Sequence, residues 1–235
     1  MTAKEVLAEL RPLGSDGYKR VIFKHGVKEP CFGVKIEELK KIQKRVKMDY
    51  ALANDLFATG VYDAQYLAGL IADDAKMTKA DLQRWLDSAN CDAIAGFAVA
   101  WVAAGSPHGP DAALKWIDSK DDTTSATGWA TLASIVSIKE DAELDLALLK
   151  NLLQRVEKAI HSAPNRTRYQ MNVFVIALGC HVASLTKAAL DAGARIGKVT
   201  CDMGDTACQV PSIPDYIRKV QTRGTIGKKR KSAKC

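Results

Sequence analysis

Apolar residues recur at helical spacing along most of this chain, and nowhere do they sustain the period-two alternation, closed by hairpin turns, that half-buried strands require. Ile36–Val46 (IEELKKIQKRV) puts Ile36, Leu39, Ile42 and Val46 on one stripe and fills the remainder with lysine, arginine and acids, which predicts a surface helix with a basic outer side. The strongest pattern runs from Ala142 to Ile160, where Leu144, Leu148, Leu149, Leu152, Leu153, Val156 and Ile160 return to one face. Asp92–Ala104 and Tyr169–Val182 are apolar nearly all round, as helices packed on several sides must be. With aromatics at 6%, 16 Gly and 7 Pro, the composition also fits packed helices better than a β-sandwich.

These helices alternate between a less polar and a more polar, amphipathic type. The less polar ones begin near Val61, Cys91, Thr123 and Arg166, at intervals of 30, 32 and 43 residues, and the amphipathic ones near Thr78, Asp111, Ala142 and Ala183. Such spacing predicts an all-α, HEAT-like helical-repeat solenoid over residues 1–197, without an internal boundary. After Gly197 the run KVTCDMGDTACQVPSIP is rich in turn residues; residues 198–222 are expected to wrap the last repeat and to end in a short helix at Asp215–Thr222. Residues 223–235 carry Lys228, Lys229, Arg230, Lys231 and Lys234 among small residues, which predicts a tail mobile until it meets a phosphate backbone.

Several function classes drop away on composition. The longest apolar stretch, Ala93–Gly105, is short of the roughly 20 residues of a membrane-spanning helix, and the first residues lack a secretory apolar core. A cytoplasmic, nucleoid-associated protein is expected, or a nuclear one if eukaryotic, where KKRK reads as a nuclear signal. The six cysteines (Cys31, Cys91, Cys180, Cys201, Cys208, Cys235) contain no CxxC pair, and the four histidines no HExxH or HxxxH spacing. Free thiols, no metal and no cofactor are therefore expected; Cys201 and Cys208, seven apart, stand as an alternative reactive pair.

Net charge is +7, but it is unevenly spread: residues 1–47 sum to +6, 48–164 to −8 and 165–235 to +9. Basic ends around an acidic middle suit a polyanion held at two places. Solvated helix faces produce the same arithmetic.

The chain resembles the DNA alkylation repair family, the HEAT-like alkylpurine DNA glycosylases. The resemblance rests on the block Gly26-Val27, Pro30, Gly33-Val34 before the lysine-rich helix, on Asp49–Leu67, on NCDAIA at Asn90–Ala95 and on Tyr169–Gly179. In that family a carboxylate and two tryptophans in a cleft excise cationic N3- or N7-alkylpurines, the first step of base excision repair. The resemblance places Asp92 at the carboxylate, where a fixed negative charge stabilises the positive charge developing on the sugar. Ser88 and Ile176 stand where the tryptophans are expected, and Thr127 and Gly128 where the family has an arginine. Trp101 and Trp129, on apolar helices, read as core. Asp92 reads equally as a first-turn acid favoured by the helix dipole. Lys40, Lys41, Lys44 and Arg45, Arg166 and Arg168, and Lys228, Lys229, Arg230 and Lys231 are the candidates for phosphate contact. The expected protein is a monomer that binds double-stranded DNA, with weakened or altered alkylpurine excision at Asp92. A non-catalytic nucleic-acid-binding member and a protein-interaction scaffold are the alternatives.

Overall fold

Short polar side chains set where the helices of this chain begin. Thr2, Ser15, Asp49, Thr78, Asp121, Asp145 and Ser212 each accept a hydrogen bond from a first-turn backbone N–H, satisfying donors that have no partner inside a helix. Thr2 with Glu5 and Thr78 with Asp81 close reciprocal capping boxes. The structure is a computed structural model that describes residues 1–234. Among the described residues the regular structure is helical, apart from one isolated antiparallel bridge, Gly14 to Val34.

The chain divides into two compact units. The first comprises residues 1–112, 203–207 and Lys234. It holds α1 (Ala3–Leu10), α2 (Asp16–Phe23), α3 (Ile36–Val46), α4 (Tyr50–Ala58), α5 (Tyr62–Ile71), α6 (Lys79–Asp87) and α7 (Asp92–Gly105). Helix α5 is buried from Asp63 to Ile71 because α1, α3, α4 and α7 all pack on it. Phe57 stacks on Trp85 with ring centroids 4.1 Å apart, and the Trp85 indole N–H donates to Asn54 Oδ1 at 3.0 Å. Gly69 lets α5 and α7 approach closely: a Cβ there would stand 2.6 Å from the Cβ of Ala98.

The boundary falls within α8 (Gly109–Trp116). The second unit, residues 113–202 and 208–233, holds α9 (Asp122–Ile138), α10 (Leu146–Ala159), α11 (Asn165–His181), α12 (Thr186–Ile196) and α13 (Ile213–Thr222). Helix α9 lies along α11, and Trp129 meets Phe174 with centroids 5.3 Å apart. Leu149, Leu152, Leu153 and Val156 of α10 enter the same core. Helix α13 packs on α11 and α12 through Ile213 and Ile217, both fully buried.

The expected elements are present within a few residues, and α3 has the predicted limits. Residues 1–197, expected as one helical-repeat domain, extend across both units. All four tryptophans are buried. Cys31, Cys91, Cys180 and Cys201 are free, and Cys235 lies outside the described residues. Burial pushes the Cys31 thiol, beside the Asp63 carboxylate, up to about 12; thiolate chemistry is suppressed there. No single helix among the described residues is long and apolar enough to cross a membrane.

Candidate nucleic-acid interface

Asp92 is the first residue of α7 and half-exposed. The turn that delivers it is pinned by side chains whose role the sequence did not disclose. Gln65, fully buried on α5, donates through Nε2 to the carbonyls of Phe57 (3.1 Å) and Ser88 (2.8 Å), and its Oε1 accepts from the Asn90 N–H at 2.8 Å. The Asn90 side chain donates to the Gly60 carbonyl (3.1 Å) and accepts from the Lys28 N–H (3.2 Å). Asn90 therefore fastens this turn to two others. The N-cap of α7 is Cys91, without a side-chain cap, so Asp92 sits one position inside the helix, where an acid still favours the dipole.

The block Gly26 to Val34 has a structural reason. Both carboxylate oxygens of the fully buried Asp63 accept backbone hydrogen bonds, from Phe32 at 2.6 Å and Val34 at 2.7 Å. Gly33 has φ +76, and a Cβ there would lie 2.7 Å from the Ser15 carbonyl oxygen. Only glycine combines that backbone with that approach.

Helix α7 is not a uniform α-helix: Ala95–Val99 forms a π turn, a local widening that recurs at functional sites. Short of its last residue, Gly105, its accessible positions are Asp92, Ala93, Gly96 and Phe97, and the neighbouring Ile94, Ala95, Ala98 and Val99 are buried. Spacing of one, four and five residues gathers those four on one face. Phe97 is 47% exposed. Behind it Trp101 stacks at 5.5 Å and 27°, and the Tyr66 ring meets Trp101 edge-on at 5.6 Å and 90°. Read from sequence as a helix packed on several sides, α7 gave no sign of this exposed face; the spacing of Phe97 from Asp92 is the signal that could have found it.

The other positions taken from the family resemblance carry different chemistry. Ser88 ends α6, its hydroxyl donating to the Arg84 carbonyl at 2.7 Å. Ile176 is buried in the core of the second unit. At Gly128 a Cβ would stand 2.7 Å from the Ile117 backbone nitrogen and 2.9 Å from the Ala113 carbonyl oxygen, so no arginine fits there. Thr127 is 1% exposed and its hydroxyl donates to the Thr123 carbonyl at 2.8 Å.

The basic candidates divide by what they already hold. On α3, Lys44 is exposed and Lys40 half-buried, Lys41 pairs with Glu38 at 2.6 Å, and Arg45 pairs with Glu9. Surface pairs of this kind exchange readily for phosphate. Arg166 is exposed at the start of α11, where the Asp122 carboxylate accepts the backbone N–H groups of Arg166 and Thr167 at 3.0 and 2.8 Å. Arg168 is committed inward: its guanidinium donates to the Ala163 carbonyl at 2.8 Å and to the Thr200 carbonyl at 3.0 Å. That contact holds the segment after Gly197 against α11.

Residues 224–233, expected from composition to be mobile, follow the ends of α11 and α9. Gly227 N–H donates to the Cys180 carbonyl (2.9 Å) and Arg230 N–H to the Ser137 carbonyl (2.8 Å). The Lys228 carbonyl lies 2.8 Å from His181 Nδ1; a carbonyl only accepts, so Nδ1 carries the proton. The Lys229 side chain is 8% exposed, its ammonium 2.7 Å from Asp141 and 3.1 Å from the Val136 carbonyl. In the first unit, Lys234 donates to the Ala72 carbonyl at 2.7 Å and pairs with Asp74 at 2.7 Å. Both lysines meet helix C-terminal carbonyls, where a cation is favoured. Lys228, Arg230 and Lys231 remain exposed. Composition alone could not separate the inward from the outward members of this run.

Among the described residues the helices, most begun by short polar caps and one carrying a carboxylate at its head and a π turn, have the fold of a HEAT-like repeat protein. A solved structure from a family described as related to the HEAT-like repeat DNA glycosylases, with affinity for branched DNA structures, superposes with a TM-score of 0.92 at 32% identity, covering 100% of both chains. The family model for "DNA alkylation repair enzyme" matches residues 6–196, and this chain belongs to that family. Over 228 residues it is 30% identical to protein Lin0241 of Listeria innocua and 29% identical to Lmo0209 of Listeria monocytogenes, spanning 95% of this chain and 99% of each relative.

Proposed function

We propose that this protein binds DNA through its basic surfaces, prefers branched over linear DNA, and does not excise alkylated purines at a useful rate. The observation that carries this reading is the replacement of the family's aromatic pair. A serine tied to its own helix and an isoleucine committed to the core stand at those positions, so two cation–π walls, about 0.5–2 kcal/mol each for a cationic base, are missing. Likeness along its whole length to a structure whose family has affinity for branched DNA supports the preference. Exposed Lys44, Arg166, Lys228, Arg230 and Lys231 supply phosphate contacts that position a duplex without reading sequence.

The test is fluorescence anisotropy with a three-way junction and a linear duplex of equal length across a salt series. Tighter junction binding with a steep salt dependence for both is expected; equal affinity for both shapes refutes the preference. A second reading, an alkylpurine glycosylase centred on Asp92, is favoured by that carboxylate's half-exposed place at the head of α7. Release of N3- or N7-methylpurines from methylated duplex decides between the two readings.

A further inference from the structure

The proposed reading leaves the exposed face of α7 without a ligand of its own. In a chain with 6% aromatic residues, a phenylalanine 47% exposed on a helix most of whose residues are buried is unusual, because the apolar driving force favours turning it inward. It is also held: Trp101, 6% exposed, lies 5.5 Å behind its ring at 27°, and Tyr66, 5% exposed, props Trp101 edge-on at 5.6 Å. Three rings in series leave Phe97 little freedom to fold down onto the helix, so its outer surface is presented ready-ordered. Ala93 and Gly96 beside it are small, leaving low ground on which a flat group can lie.

The neighbouring charge selects the type of group. Asp92 is on the same face, and a carboxylate repels phosphate while accepting hydrogen bonds from the amino groups of bases. A phosphate backbone is disfavoured on this face; a nucleobase, apolar above and below with donors on its edge, is suited to it. Such bases are stacked away inside a linear duplex and become available where helices part.

We propose that Phe97 is a stacking platform for an unstacked nucleobase at the branch point of DNA, with Trp101 and Tyr66 as its backing and Asp92 keeping the phosphates off. This rests on the branched-DNA reading above and assigns the residue that discriminates shape. Stacking of a base on an aromatic ring is tolerant of sequence, so the preference is for the junction and not for particular bases.

The experiment compares wild type with Phe97→Ala, Phe97→Leu and Phe97→Trp on a three-way junction carrying 2-aminopurine at the branch and on a linear duplex of equal length. Thermal melts check that each variant is folded. Phe97→Ala should weaken junction binding by about tenfold, within the range of one base–aromatic stack, and leave duplex binding unchanged. Phe97→Leu, which keeps apolar bulk without a ring, should behave like alanine, and Phe97→Trp should retain the affinity. Wild type should quench the 2-aminopurine and Phe97→Ala should not. If wild type prefers the junction and Phe97→Ala binds it equally well, the platform is refuted while the branched-DNA reading stands. If wild type shows no junction preference, that reading fails and this inference with it. An equal loss on junction and duplex, or full retention by leucine, overturns stacking as the cause.

Discussion

Replacing Lys229 by methionine tests whether the basic end of the chain is part of the folded structure. Methionine keeps an unbranched apolar stem in the space but deletes the ammonium that meets Asp141 at 2.7 Å and the Val136 carbonyl at 3.1 Å. The ion pair is half open, Asp141 being 41% exposed, so it contributes about 0.5–1 kcal/mol after screening. The abandoned carbonyl near the end of α9, and the lost cation at that negative helix terminus, add about 1 kcal/mol. A loss of about 1.5–2 kcal/mol lowers the melting temperature of a chain this size by about 3–8 °C. The matched control is Lys231→Met, which removes an exposed charge and should leave the melt unchanged. Circular dichroism melts of the two variants, with amide exchange at Gly227 and Arg230, give the answer. Equal melts for Lys229→Met and wild type, together with exchange at those amides as fast as in a free peptide, would refute the docked tail. The control also separates roles in binding: Lys231→Met should make the salt slope of DNA affinity shallower while stability stays constant.

Gly128→Ala should destabilise by about 1–3 kcal/mol, because its Cβ meets the backbone of Ile117 and Ala113 and backbone yields less than a side chain; a wild-type urea midpoint would show that α9 does not press there. Although burial opposes ionisation of Asp81, hydrogen bonds from Thr78, Tyr50 and Arg84 lower its pKa from 3.8 to about 2. The folded value being depressed, Asp81 contributes about 2 kcal/mol above pH 4, lost as pH falls toward 2; Asp81→Asn should flatten stability against pH over that interval. His181 is held below its ordinary pKa of 6.5 by burial, with Lys229 and Arg230 adding to the effect against the Lys228 carbonyl. The unfolded chain protonates first, so packing of residues 227–230 should weaken as pH drops below about 6.5, read as faster exchange at Gly227. Asp92→Asn should leave duplex affinity equal or higher, since a carboxylate that repels phosphate is removed, and should abolish any base release that wild type displays.

The sequence by itself determined the secondary structure and the family. Apolar spacing and short polar caps are local properties, which is why α3 could be bounded at Ile36–Val46 and why Trp101 and Trp129 read as core. Asp92 at the head of an apolar helix was legible for the same reason. Tertiary structure alone decided which charges are free. Arg168 and Lys229 carry the same charge as their neighbours in the chain, yet Arg168 is spent on the carbonyls of Ala163 and Thr200. Lys229 and Lys231 likewise sit two apart in one basic run, and only the fold turns the first onto α9. The physical reason is range. A helix is specified by neighbours three and four residues away, whereas the partner of a long cationic side chain is whatever the packing brings within about 3 Å, here Val136 and Asp141, about 90 residues before Lys229 in the chain. Phe97 shows both sides: its register with Asp92 was written in the sequence, but its exposure was settled only when α5 and α7 closed around Gly69 and set Trp101 and Tyr66 behind it.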